Sequence, residues 1–193
     1  MTGRFVTLEP LDIRHAEDLW RAGQDPEIWR CMPRPMFRDL DNVKEWIVET
    51  QRVATGGEEI PFAILHCQSG EAVGSTRYLD IQRANHSLEI GWTWLGKAVQ
   101  RTAVNTECKY LLLRQAFESW RAVRVQLKTD ARNLVSQTAI ARLGAVREGV
   151  LRKQRKMWDG HIRDTVYFSI LDTEWPSVKA RLERLLNGAT GSE

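Results

Sequence analysis

Apolar residues recur along this chain with two alternating periods. Near the start, Phe5-Val6-Thr7-Leu8-Glu9 alternates as a strand does, and Pro10 ends the ladder because it has no N–H to donate. Asp12 caps a first helix that places Ala16, Leu19, Trp20 and Gly23 on one face. Asp25-Pro26 and Met32-Pro33-Arg34-Pro35 interrupt the helical pattern. A second amphipathic helix is expected over 41–53, with Val43, Trp46, Ile47 and Val53 as its stripe and Gly56-Gly57 as its stop. Segments 60–67, 72–81 and 87–95 then read as three strands of a meander joined by short polar turns.

From residue 100 the order changes to helix, strand, helix and two long strands. Val104, Cys108, Leu111, Leu112 and Ala116 repeat at helical spacing, whereas Val123, Val125 and Leu127 alternate with Arg124, Gln126 and Lys128. Asn133 suits the N-cap of the next helix, whose inward side is Val135, Ala139, Ile140 and Leu143, and Gly144 suits its stop. Strands over 145–158 and 161–171 flank Asp159-Gly160, a dipeptide of tight hairpins, and Trp175-Pro176 opens a last helix carrying Val178, Leu182 and Leu185. No linker, repeat or low-complexity block divides the chain. The expected organisation is one α/β (α+β) domain over 1–186 followed by a flexible tail at 187–193.

Composition adds limits. The chain has 193 residues, enough for one domain with a sizeable core, and its net charge of +3 comes from interspersed charges of both signs. That balance argues against nucleic acid as a partner and suits an anionic ligand. The start lacks the apolar core of a signal peptide and no apolar run approaches membrane-spanning length, so a cytoplasmic protein with no membrane partner is expected. Cys31, Cys67 and Cys108 lie far apart without a CxxC pair, as reduced and mostly buried thiols would, and the four histidines are dispersed, so no metal site is expected. The eight tryptophans belong mostly to the core or its rim. The basic run over 147–156 reads as the solvated side of a strand, with contact to RNA or an acidic peptide as its alternative.

The candidate chemistry starts from Gln100-Arg101-Thr102-Ala103-Val104-Asn105-Thr106-Glu107, set between the aromatic strand LEIGWTWL and an apolar helix. A turn that delivers backbone N–H groups at a helix start binds phosphate without a special side chain, because first-turn donors are unsatisfied and carry partial positive charge. A phosphate-bearing cofactor is the expectation, and a plain helix start is the alternative.

The element order from Phe5 to Leu186, with the segments LEPL, LEIGW, NTE and NLVSQTAIARLGAVREGVLR, resembles the GNAT superfamily of acetyl-CoA-dependent N-acetyltransferases, and within it the RimJ/RimL-like branch that modifies ribosomal proteins. The resemblance implies a central mixed, mostly antiparallel twisted sheet of about seven strands flanked by helices. It implies transfer of an acetyl group from acetyl-CoA to a primary amine, on a small molecule or a peptide N-terminus, by direct attack in a ternary complex. A non-catalytic acyl-CoA-binding module of the same fold is the alternative. Homodimers are common in the branch.

The residue roles follow from the same resemblance. The pyrophosphate would lie on the turn from Gln100 through Arg101, Thr102, Ala103, Val104 and Asn105 to Thr106, and the pantetheine arm along Thr93, Trp94 and Leu95. The superfamily's loop carries glycines where Ala103 and Asn105 stand, and Ala103 gives up glycine's access to positive φ. Glu89 is the candidate general base, opposite a face formed by Leu88, Ile90, Trp92 and Trp94, with an ordinary surface or salt-bridged carboxylate as its alternative. Asp164, near Tyr167, is the second acidic candidate. Many relatives place a Tyr four residues before the glycine that ends the fourth helix, where this chain has Ile140. The branch's Asn-x-x-Ser pattern is matched by Asn133 and Ser136, the first to bind the pantetheine amide and the second to face the departing thiolate, with helix capping as the alternative. Trp29 and Trp158 fall where the superfamily builds its acceptor site.

Overall fold

The computed structural model describes residues 1–189. Its seven strands are β1 (Val6–Pro10), β2 (Ile60–His66), β3 (Ala72–Gln82), β4 (Ser87–Leu95), β5 (Arg124–Asp130), β6 (Val146–Lys156) and β7 (Ile162–Leu171). The helices are α1 (Ala16–Ala22), α2 (Leu40–Ala54), α3 (Ala103–Arg114), α4 (Leu134–Leu143) and α5 (Trp175–Gly188). One sheet forms in the order β1-β2-β3-β4-β5-β7-β6. Only β4 and β5 run parallel, and their pairing covers just Ser87 to Glu89 against Arg124 to Gln126. Beyond Glu89 the two strands part. β4 continues to Leu95 held by β3 alone, while β5 continues to Asp130 held by β7.

Each face of the sheet carries its own core. Val104, Cys108, Leu111 and Leu112 of α3, Ile140 and Leu143 of α4, and Val178 and Leu182 of α5 pack on Leu88, Ile90, Val125, Leu127 and Phe168. On the other face Leu19 of α1 and Val43 and Ile47 of α2 cover Ala63, Ala72 and Trp94. Local chemistry explains the element ends. Asp39 caps α2 by accepting the Asn42 N–H, Asn133 caps α4 by accepting the Ser136 N–H, and Gly144 ends α4 at φ +110°. Gly160 turns the β6–β7 hairpin at φ +84°.

Several expectations change. Pro10 ends β1 from inside it, which an edge strand tolerates because the missing N–H faces away from the sheet. Asp12 caps a single 3-10 turn ahead of α1. In α2 Thr50 takes the buried position and Val53 is exposed, and in α4 Val135 is 79% exposed while Ile140 and Leu143 are inside. The stripes continue past the turns that the sheet covers. Of the thiols only Cys108 is buried, with Cys67 exposed and Cys31 half-buried. The first two residues of the expected tail, Asn187 and Gly188, belong to α5, and its last four, 190–193, lie outside the described residues. Among the described residues no helix is long and apolar enough to cross a membrane.

Candidate functional site

At the end of β4 the chain turns sharply into α3. The Gln100 side chain donates to the Leu95 carbonyl (2.9 Å), tying the turn to the strand. Thr102 is the N-cap of α3: its hydroxyl donates to the Val99 carbonyl (2.7 Å) and accepts the Val104 N–H (3.3 Å). The left-handed residue of the turn is Arg101, at φ +64°, whereas Ala103 is the first residue of the helix and has no need of glycine. The first-turn N–H groups of Ala103 and Asn105 therefore follow the free end of β4, at a helix start whose geometry suits an anion. Thr106 sits deeper, buried, with its hydroxyl taken by Arg142 of α4 (2.8 Å). A cleft of about 390 Å³ flanks the same turn on the α1 side, lined by Asp18, Arg21 and the stretch from Gly96 to Val99, well removed from Glu89.

The opening between β4 and β5 leaves one edge of β4 unpaired past Glu89, and that edge is irregular. Gly91 faces Arg77 and Trp94 faces Ser75, so two residues, Trp92 and Thr93, stand opposite Thr76, with Trp92 at φ +51°. This bulge reverses the alternation. Trp94 consequently packs with Trp29 and Phe37 on the Glu89 side of the sheet, and does not share a face with Leu88 and Ile90 as the uninterrupted pattern implies. Thr93 turns towards α3 instead. Its hydroxyl lies 2.8 Å from that of Thr76 and accepts from the ammonium of Lys109 (2.5 Å), a buried lysine whose amine burial pushes below its ordinary range. Unpaired backbone beside a helix N-terminus fits an extended, amide-bearing phosphate ester such as CoA, since the edge can pair with its amides and the turn with its phosphates.

Glu89 lies at the apex of the opening and is only 2% exposed. Its Oε2 receives the Lys128 ammonium at 2.7 Å and the Gln126 amide at 3.1 Å, and a Cβ at Gly91 would come within 2.8 Å of its Oε1. The surroundings are thus ionic as well as apolar, because the residues that β5 turns to the Glu89 face are Arg124, Gln126, Lys128 and Asp130. Across the β5–β7 register Lys128 faces Tyr167, with its ammonium 5.9 Å from the ring. Asp130 is buried and paired with Arg132 (2.8 Å).

The remaining candidates separate. Tyr167 shares the Glu89 face, whereas Asp164, three residues away and of opposite parity, turns to the other face and accepts the Lys153 N–H (2.7 Å). Trp29 is 2% exposed, its indole N–H donates to the Gly23 carbonyl (2.8 Å), and its ring packs on Phe37 and Trp94 at 4.8 and 5.0 Å, so it braces the wall from behind. Trp158 stands open at 51% exposure beside the β6–β7 turn. Asn133 is engaged as the cap of α4, and Ser136 is half-buried in the first turn of that helix. Ile140 fills core space. Sequence reasoning misses Lys109, Gln126, Lys128 and Arg163. Lys128 is visible as a polar alternate of β5, but its partner depends on which strand β5 pairs with.

A family model described as an acetyltransferase (GNAT) domain matches residues 6–146. An uncharacterized N-acetyltransferase of Bacillus licheniformis is 25% identical over 170 residues, spanning 88% of this chain and 94% of the relative. A provisionally assigned acetyltransferase from T. thermophilus is 42% identical, covers 96% of both chains and superposes with a TM-score of 0.86. The structure of Mycobacterium smegmatis RimJ in complex with CoA-disulfide is 23% identical, covers 93% of this chain and 88% of that one, and shows the same fold at a TM-score of 0.79.

Proposed function

The chain belongs to the GNAT acetyltransferase family, and on that premise we propose that it moves an acetyl group from acetyl-CoA to a primary amine, on a small molecule or a peptide N-terminus, by direct attack in a ternary complex in the cytoplasm. The observation that carries this reading is the parting of β4 from β5 just past Glu89, with the α3 N-terminus following the free end of β4. The solved RimJ relative, which holds CoA-disulfide, supports the choice of donor and the RimJ/RimL-like branch.

Acetyl-CoA supplies an activated thioester. The N–H groups of Ala103 and Asn105 would hold its pyrophosphate, and the free edge of β4 from Thr93 to Leu95 its pantetheine amides. Glu89 attracts the incoming ammonium and takes its proton, freeing the nitrogen lone pair. The bulge at Trp92 turns backbone out of the ladder, where an N–H can meet the charge that develops on the acyl oxygen. As the C–N bond forms and the C–S bond breaks, Ser136 is the side chain assigned to the departing sulfur, and Asn133 keeps it in place through the helix cap. Of the two protons that the ammonium gives up, one passes to Glu89 and on to solvent and the other ends on the sulfur, so the products are an N-acetyl amide, free CoA thiol and one released proton.

Two measurements test the reading. Acetyl-CoA at about 100 times its dissociation constant should stabilise the protein by about 2.7 kcal/mol in thermal unfolding. Thiol release across a panel of primary amines should then identify a turned-over acceptor. Stabilisation without turnover of any amine would leave the non-catalytic acyl-CoA-binding module in its place.

A further inference from the structure

Four buried side-chain atoms lack a hydrogen-bond partner among the described residues: Arg34 Nη1, Arg77 Nε, Trp94 Nε1 and Arg163 Nε. All four are donors, and all four belong to the Glu89 side of the sheet. Arg77 lies opposite Gly91, Trp94 and Arg34 pack on Trp29, and Arg163 is within electrostatic reach of Glu89. A buried N–H left unpaired costs about 1–3 kcal/mol, so a layer that collects only unpaired donors is suited to a ligand that brings acceptors.

Arg163 stands apart from the other three. Arg77 has Glu59 at 2.7 Å, Arg34 rests 3.8 Å from the Phe37 ring centroid and bonds Asn42, and Trp94 is uncharged. The Arg163 side chain is buried at 6% exposure and makes no ion pair or side-chain hydrogen bond among the described residues. The carboxylates near it are already matched, Glu89 by Lys128 and Asp130 by Arg132. The Arg163 guanidinium has no carboxylate of its own. Arg163 is on the same strand face as Tyr167, and Cys31, in the segment between α1 and α2, is within its electrostatic reach. It therefore lies on the side of the sheet that carries Glu89, Lys128 and Tyr167.

We propose that Arg163 is the anchor for a carboxylate carried by the acceptor, so that the acceptor class is amines that also bear a carboxylate. The inference rests on the primary-amine reading above and narrows it. The planar fork of a guanidinium that has no carboxylate of its own matches the two oxygens of one.

The test compares α- and ω-amino acids with their primary carboxamides, which keep the amine and lose the charge. The acids should be preferred by about 10-fold or more in kcat/KM, the size of one charge-assisted contact. Arg163→Gln should collapse that ratio towards one, and Arg163→Lys should restore part of it, with circular dichroism verifying both folds. Carboxamides acetylated as well as the acids, or a preference that survives Arg163→Gln, would overturn the anchor and leave the primary-amine reading standing. Thermal shift with N-acetyl amino acids, which need no turnover, separates the two claims. Stabilisation of the parent protein and not of Arg163→Gln, with no amine turned over, would keep the anchor and reject the primary-amine reading. No stabilisation would overturn the anchor.

Discussion

Lys128 sets its ammonium 2.7 Å from Oε2 of Glu89, just beyond the last residue pair that joins β4 to β5. The two strands diverge from that point, so the ion pair closes the apex of the opening in which the donor is proposed to lie. In the proposed reaction an arriving ammonium would compete with Lys128 for the same carboxylate.

Glu89→Gln preserves the shape of the side chain but removes the proposed base. Turnover in a thiol-release assay should fall by about 10²- to 10⁴-fold, the range of general-base catalysis, while the thermal shift with acetyl-CoA persists. Undiminished turnover would reject Glu89 as the base.

Asn105→Asp separates the helix from its proposed ligand. A carboxylate in the first turn of α3 favours the macrodipole and should leave the free protein equally stable or about 0.3–1 kcal/mol more stable. The same charge opposes a pyrophosphate, so acetyl-CoA affinity should weaken on the order of tenfold. Calorimetric titration alongside thermal unfolding reads both signs, and an unchanged affinity would remove the pyrophosphate from this turn.

Glu107 joins α3 to the chain start, its carboxylate accepting the N–H groups of Arg4, Phe5 and Val6 at 2.8, 2.5 and 2.8 Å. In Glu107→Gln the amide nitrogen confronts N–H donors, and at least one of them loses its acceptor. Urea unfolding should show a loss of about 2–4 kcal/mol. A change below about 0.5 kcal/mol would mean that water replaces the carboxylate at no cost.

Glu148 gives the acid dependence a direction. The Arg124 guanidinium, with help from Ser169, holds its carboxyl at about 2, below the ordinary value of 4.5. A folded-state value that is depressed contributes stability above the ordinary carboxylate range and loses it as pH falls towards the folded value. The gap in Tm between the parent protein and Glu148→Gln should therefore narrow from about pH 5 to about pH 2. A gap constant across that window would show that the pair contributes nothing.

Legibility follows sequence distance. The caps at Asn133 and Asp39, the stop at Gly144 and the hairpin at Gly160 depend on residues within four positions, and Asn133, Gly144 and Gly160 are readable in the chain. The pattern misplaces Val135 and Val53 because a helical stripe gives a phase and not the length of the turn that the sheet covers. It assigns Trp94 to the wrong face because one extra residue in a strand leaves no mark in an alternating pattern. In the same way Ala103 reads as a missing glycine, although the positive φ falls at Arg101.

The order of strands and helices, the anion-receptive start of α3 and the candidate carboxylate Glu89 are set by short-range periodicity and backbone chemistry, and they are present in the chain before it folds. The partners of that carboxylate, the unpaired Nε of Arg163 and the bulge that turns Thr93 towards Lys109 depend on which strands meet and where they part. Those are contacts between residues tens of positions apart. Their energies arise from burial and desolvation, which no local pattern encodes and which exist only once the two faces of the sheet are covered.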